Sequence, residues 1–137
     1  MISLTAEYAL RVMVYLAGRP EKPSLTKDIA KATRIPASYL SKILLTLVRA
    51  GLVQSQRGLH GGFLILCDPK KASVFDVIKA VDPLPRILTC PLNLPEHSKR
   101  LCPLHKQLDE AYEHVEKAFK GCPLQDLIVG TFPLPTP

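Results

Sequence analysis

The sequence predicts a mainly α fold: a winged helix-turn-helix domain with a small β-hairpin wing, then a long C-terminal dimerisation helix. Three observations carry that prediction. Leu40, Ile43, Leu44, Leu47 and Val48 recur at i, i+3, i+4, i+7 and i+8, the apolar face of one helix. The period then changes to two strand-like runs, residues 52–56 and 62–66, flanking the glycine-punctuated turn Arg57-Gly58-Leu59-His60-Gly61. Further on, Leu101, Leu104, Leu108, Ala111, Val115 and Ala118 repeat in steps of three and four, a seam that packs on another helix, with a second copy of the chain as the natural partner.

The elements follow in order. Residues 4–17 place Tyr8, Val12, Tyr15 and Leu16 at helical spacing, with Thr5 as a cap, and Gly18, Pro20 and Pro23 end the helix. Ser24 is positioned to cap a second, short helix over 25–32. Pro36 suits the first turn of the third helix, where its missing N–H costs nothing, and Gly51 supplies a left-handed stop. After the hairpin, Ser73 and Asp76 have capping-box spacing ahead of Val74, Val77, Ile78 and Val81. From Asp82 to Arg100 the prolines at 83, 85, 91 and 95 predict a long loop, and loops of that length in small proteins carry function or are disordered. Cys102-Pro103 then starts the long helix, which runs to Lys120, and Pro123 opens one last short helix. The expected division is 1–82 for the DNA-binding domain, 83–130 for the cysteine-bearing loop and dimerisation helix, and 131–137 for a flexible tail.

At 137 residues the chain suits one domain with a short accessory part, and 47% hydrophobic against 22% charged residues marks a folded class. No apolar run is long enough to span a bilayer, and Glu7 and Arg11 interrupt the N-terminal apolar stretch, so neither a membrane protein nor a signal peptide is expected. The four cysteines then point to a reducing cytoplasm, where they read as ligands or thiols before disulfides. The net charge of +6 is unevenly distributed: residues 1–90 carry +7 and residues 91–137 carry −1. A basic N-terminal part suits a polyanion, and three of the four cysteines fall at or beyond position 90, where a sensing part is expected. No phosphate-cradling glycine loop, Ser-His-Asp set or paired carboxylates are present, so the chain does not read as an enzyme.

Leu4-Thr5, Tyr8-Ala9-Leu10-Arg11, Ser38-Tyr39-Leu40, Gly51-Leu52-Val53 and above all Arg57-Gly58-x-x-Gly61-Gly62-Phe63 closely resemble the Rrf2 family of bacterial transcription regulators over roughly residues 1–120. The resemblance implies a winged-helix homodimer crossed by a long C-terminal helix, with an iron–sulfur cluster that controls DNA binding in many members. On the DNA side, Ser38, Tyr39, Ser41 and Lys42 occupy the exposed N-terminal end of the recognition helix, with Lys42 suited to phosphate. Arg57 resembles the family's minor-groove arginine, and Gly58 and Gly61 let the wing backbone approach the duplex. Ser38 also reads as a helix-solubilising residue, Tyr39 as packing on the first helix, and His60 as a solvated loop residue.

Cys90, Cys102 and His105 form the chemical constellation. Cys102 starts a helix, where the positive dipole end attracts an anionic ligand, and His105 lies one turn on, on the same side. Thiolates with an imidazole suit an iron–sulfur cluster, 2Fe–2S in preference to 4Fe–4S. Cluster-binding members resembling this chain carry a third cysteine between the outer two; here the midpoint holds Glu96 with His97 beside it, leaving substitution by either, mixed ligation or a degenerate site open. Glu7 falls where some members supply a carboxylate from the partner subunit's first helix, and it equally reads as a first-turn carboxylate on the helix dipole. Cys67 reads as a buried small hydrophobe, Cys122 as a free thiol and His114 as solvated surface.

The expected function is a homodimeric, DNA-binding regulator, a repressor, whose operator affinity follows an iron–sulfur cluster responding to redox state, nitric oxide or iron–sulfur supply. The alternative is a cluster-free regulator governed by a protein partner or by thiol oxidation, through a Cys90–Cys102 disulfide. A third reading is a structural zinc site on Cys90, Cys102, His105 and Cys122.

Overall fold

The computed structural model describes residues 2–84, 86–100 and 102–129. Among the described residues, six helices and one hairpin follow in the order α1 (Leu4–Ala17), α2 (Thr26–Thr33), α3 (Ala37–Arg49), β1 (Val53–Gln56), β2 (Gly62–Ile65), α4 (Val74–Val81), α5 (Pro103–Lys120) and α6 (Leu124–Val129). A 3-10 turn, Pro95–His97, interrupts the loop between α4 and α5. The 131–137 tail, Pro85 and seam residue Leu101 lie outside the described residues.

The core is built where the period placed it. Leu40, Ile43, Leu44 and Leu47 of α3 are buried against Ala9, Val12, Met13 and Leu16 of α1 and Ile29 of α2. The strands pair antiparallel with Val53 opposite Ile65 and Gln56 opposite Gly62. Ser73 and Asp76 cap α4 reciprocally: the Ser73 N–H donates to the Asp76 carboxylate at 2.8 Å, and the Asp76 N–H to Ser73 Oγ at 3.3 Å. Leu124 of α6 is fully buried in the same core as α1 and α3, so the chain's C-terminal part closes the N-terminal core.

Two predicted caps are corrected. Ser3, not Thr5, caps α1, its hydroxyl accepting from the Ala6 N–H at 3.1 Å, because the helix starts two residues earlier than Thr5 allows. Ser24 does not cap α2, whose N-cap is Leu25. Its backbone is extended and exchanges both main-chain hydrogen bonds with Phe63, at 2.9 Å each, tying the α1–α2 connection to the wing.

Of the 18 residues of α5, only His105 is buried among the described residues. Leu104 is 41% exposed, Leu108 and Val115 are half-buried, and Ala111 and Ala118 are exposed. The opposite flank carries i,i+4 ion pairs Lys106–Glu110, Lys117–Glu113 and Lys120–Glu116. Such a helix has one face for α4, one for water and an apolar seam left over.

Candidate functional site

The helix-turn-helix places four side chains on one exposed surface. Ser38, Tyr39, Ser41 and Lys42 are all exposed at the start of α3. Ser41 Oγ donates back to the Ala37 carbonyl at 3.1 Å, leaving its lone pairs free to accept. Tyr39 packs on the first helix, its ring meeting Tyr8 of α1 edge-on with centroids 6.3 Å apart, and the residue stays 55% exposed.

The wing depends on its glycines. Gly58 has φ +106°, and its carbonyl accepts from the Gly61 N–H at 2.9 Å, which folds the tip. A Cβ on Gly61 would stand 2.6 Å from the Gln56 carbonyl oxygen, so the turn closes only on a bare Cα. Arg57 and His60 project from this tip into solvent, with Leu59 between them at 96% exposure.

The second site forms where the long loop meets the start of α5. Cys90 Sγ, a ring nitrogen of His97 and Cys102 Sγ all lie within 4.8 Å of one another, and Cys90 Sγ is 3.5 Å from His97 Nδ1. Two donors on one tetrahedral metal, with metal–sulfur bonds of ~2.3 Å and metal–nitrogen bonds of ~2.0 Å, stand roughly 3.5 Å apart, so the spacing fits adjacent ligands of a single metal atom. Two sulfurs and an imidazole are also the right chemistry for iron or zinc, and imidazoles replace thiolates in some iron–sulfur centres. The donor types are those of the iron–sulfur group the sequence suggested, while their spacing is that of ligands around one metal atom. The Leu94 main-chain N–H, helped by His97 and the Leu92 N–H, lowers the Cys90 thiol to about 7 against partial desolvation. The 3-10 turn makes the arrangement possible, carrying the chain back so that His97 faces Cys90.

His97 therefore stands where the sequence had offered Glu96 or His97, and Glu96 is exposed outside the group. His105 is not part of it. Its imidazole is buried and donates from Nε2 to the Ile87 carbonyl, while its main-chain N–H donates to Cys102 Sγ at 3.5 Å. Spacing on the helix put its Cα beside Cys102, but the ring is taken by the loop. The four-ligand zinc set fails for the same reason, and also because Cys122 follows the far end of α5, a helix of about 27 Å, where it packs with Phe119, Ala6 and Val74. Glu7 pairs with Arg11 on its own helix, on the wall of a cleft of about 810 Å³ shared with Leu10, Val14 and Thr33, and is not among the donors grouped with Cys90 and Cys102. Cys67 lies half-buried against the core, and burial pushes its thiol up, as suits a small hydrophobe.

Two contacts went unforeseen. Arg86 forms a two-pronged ion pair with Asp109 of α5, Nε at 2.7 Å and Nη2 at 2.6 Å from the two carboxylate oxygens. It adjoins Ile87, whose carbonyl takes the His105 proton. Nothing in the local sequence marks either pair, since their partners lie 23 and 18 residues apart.

Comparison with known proteins gives the lineage. Residues 2–130 match the Rrf2 family model, described as an iron-dependent transcriptional regulator. A putative HTH-type transcriptional regulator of Aquifex aeolicus is 30% identical over 93% of this chain and 91% of its own length. Among solved structures, CymR (YrzC), the global cysteine regulator of B. subtilis, superposes with a TM-score of 0.76 at 28% identity over 96% of this chain and 98% of its own. T. potens IscR shares the fold, with a TM-score of 0.77 at 23% identity over 93% and 85%. Among the described residues no helix is long and apolar enough to cross a membrane. With helix-turn-helix, wing and family model in agreement over nearly the whole chain, this protein belongs to the Rrf2 family of DNA-binding transcriptional regulators, which are not enzymes.

Proposed function

We propose that the chain acts as a homodimeric repressor whose grip on its operator is set by an iron–sulfur cluster of the 2Fe–2S type, held by Cys90, Cys102 and His97. The observation that carries this reading is the convergence of two thiol sulfurs and an imidazole nitrogen within 4.8 Å near the N-terminus of α5, in a chain whose family description is iron-dependent. When bound there, the cluster supplies iron that reacts with oxidants and nitric oxide. Glu7 of a second copy is the remaining candidate for an oxygen ligand.

The chain's own residues do the rest. Ser38, Tyr39, Ser41 and Lys42 enter the major groove from α3, while Arg57 reaches the minor groove with Gly58 and Gly61 lying close to the backbone. The exposed seam of α5 joins two copies. Two recognition helices must then match half-sites about 34 Å apart, so small movements of α5 relative to α3 change affinity. A coupling of only ~1–3 kcal/mol gives a 5–150-fold switch.

A second reading has its own support. The two sulfurs of Cys90 and Cys102 lie within 4.8 Å, and the similar B. subtilis structure is of a cysteine regulator. In this reading the two thiols pass two electrons and two protons to a peroxide and become a disulfide, which replaces cluster loss as the signal. A protein partner then becomes a further means of control.

The two readings separate on one preparation. Anaerobically purified protein is expected to be coloured and to carry iron and acid-labile sulfide, both lost in Cys90→Ala and Cys102→Ala. Its operator affinity should differ from that of the stripped protein at matched salt. A colourless protein with full operator binding that weakens on peroxide treatment would establish the thiol reading instead.

A further inference from the structure

The loop carrying Cys90 is fastened to α5 at two consecutive residues. Arg86 grips the Asp109 carboxylate with both prongs, and the Ile87 carbonyl accepts from His105 Nε2. His105 and Asp109 are four apart, hence on one face of the helix. His105 also donates its main-chain N–H to Cys102 Sγ, so the same residue touches the sulfur at the helix start and the strap that leads to Cys90. His105 is 4% exposed and its ring proton is committed to a carbonyl. Glu113 and Glu116, further along α5 beyond Asp109, add to the negative field at Arg86.

We propose that Arg86 and His105 are positioning residues: together with Asp109 they form a clasp that holds Cys90 in reach of Cys102 before any ligand arrives and ties the centre to the dimer helix. The inference rests on reading Cys90, His97 and Cys102 as a working set. Ile87 precedes Cys90 by three residues, a span of at most roughly 10 Å, so fixing Ile87 on α5 confines the Cys90 sulfur to the neighbourhood of the helix start. The entropy of closing a loop grows with its free length, and the clasp shortens the free segment leading to Cys90. Ordering done in advance is ordering the bound centre need not supply. The same contacts give the centre its lever. A change in the position of Cys90 is passed to α5 at His105 and Asp109, on the element that carries the seam, rather than back to α4.

The clasp is tested on the metal-free, full-length protein by thiol–disulfide exchange with glutathione. Two protein thiols and one glutathione disulfide give the Cys90–Cys102 disulfide and two glutathione thiols, and peptide mapping quantifies that one bond. Arg86→Gln should lower the equilibrium constant about 3- to 5-fold. Arg86→Glu should lower it further, and adding Asp109→Arg to Arg86→Glu should bring it back towards the parent value. His105→Gln, which keeps a donor near the Nε2 position, should stay close to the parent, while His105→Ala should fall about tenfold at unchanged helical content. Equal constants for the parent, Arg86→Gln and Arg86→Glu would overturn the clasp, as would failure of the charge exchange to recover the loss. Co2+ absorption on the same variants keeps the two ideas apart. A parent protein that takes up no Co2+ while its exchange still depends on Arg86 removes the metal reading and leaves the clasp standing.

Discussion

Ser24 and Phe63 exchange two main-chain hydrogen bonds of 2.9 Å, so the wing is held by the segment between α1 and α2 as well as by its own hairpin. The residue that permits this is Gly62, at φ +142°, where a Cβ would stand 2.6 Å from the Ser24 carbonyl oxygen. No rotamer relieves that contact, because both groups are backbone.

Gly62→Ala should therefore cost about 1–3 kcal/mol of stability, from left-handed strain and the lost bridge together. Urea denaturation measures the loss, and operator binding should fall beyond what the unfolded fraction explains, since Arg57 is presented by the same hairpin. A variant as stable and as tightly binding as the parent would show that the Ser24–Phe63 bridge does not hold the wing.

The two basic contacts assigned to DNA differ in kind. Lys42→Ala should weaken all sequences alike and reduce the slope of log K against log salt by about 1, as expected for one phosphate contact. Arg57→Ala should cost about 1–3 kcal/mol and relax the preference for A·T-rich flanks, because a narrow minor groove is what draws an arginine in. Titrations on A·T-rich and G·C-rich duplexes at several salt concentrations distinguish the two, and unchanged binding in both variants would remove the contacts.

In the metal-free protein the cysteines should separate by pH. The Leu94 N–H brings the Cys90 thiol to about 7, whereas burial raises that of Cys67 above its ordinary value. Iodoacetamide labelling followed by mass spectrometry should show Cys90 reacting at half its limiting rate near pH 7, well before Cys67. Because the Cys90 value is lower folded than unfolded, its contribution to stability is complete above the ordinary thiol value and is lost as pH falls through about 7. Equal labelling rates for the two cysteines at pH 7 would contradict the loop geometry.

Periodicity and caps made most of the fold legible. The α3 face and the Ser73–Asp76 box are local, and they appear where the spacing put them, as does Cys102-Pro103 at the start of α5. Ser24 was misread because a serine before a helix is also a residue free to pair with a strand nearly forty positions away, and only tertiary structure chooses. The ligand set shows the same limit. Helical spacing places His105 beside Cys102, but which way an imidazole turns depends on the Ile87 carbonyl, which a proline-rich loop brings in from outside the helix. His97 could be named only as one of two candidates, because the 3-10 turn that brings it to Cys90 has no strong sequence signal.

The same geometry decides between the two histidines. Replacing a ligand removes a bond to metal, while replacing a strap residue leaves all donor atoms in place. His97→Ala should therefore abolish the ligand-field and thiolate-to-metal absorption of the Co2+-loaded protein, as should Cys90→Ala and Cys102→Ala. His105→Gln should keep that spectrum, since its ring nitrogen is spent on the Ile87 carbonyl. Glu96→Ala and Cys122→Ser should also keep it, Glu96 being exposed outside the group and Cys122 packed beyond the other end of α5. The reverse result, a spectrum that survives His97→Ala and vanishes in His105→Gln, would mean that metal binding turns the His105 ring away from Ile87 and towards Cys102. The clasp would then open each time the centre fills.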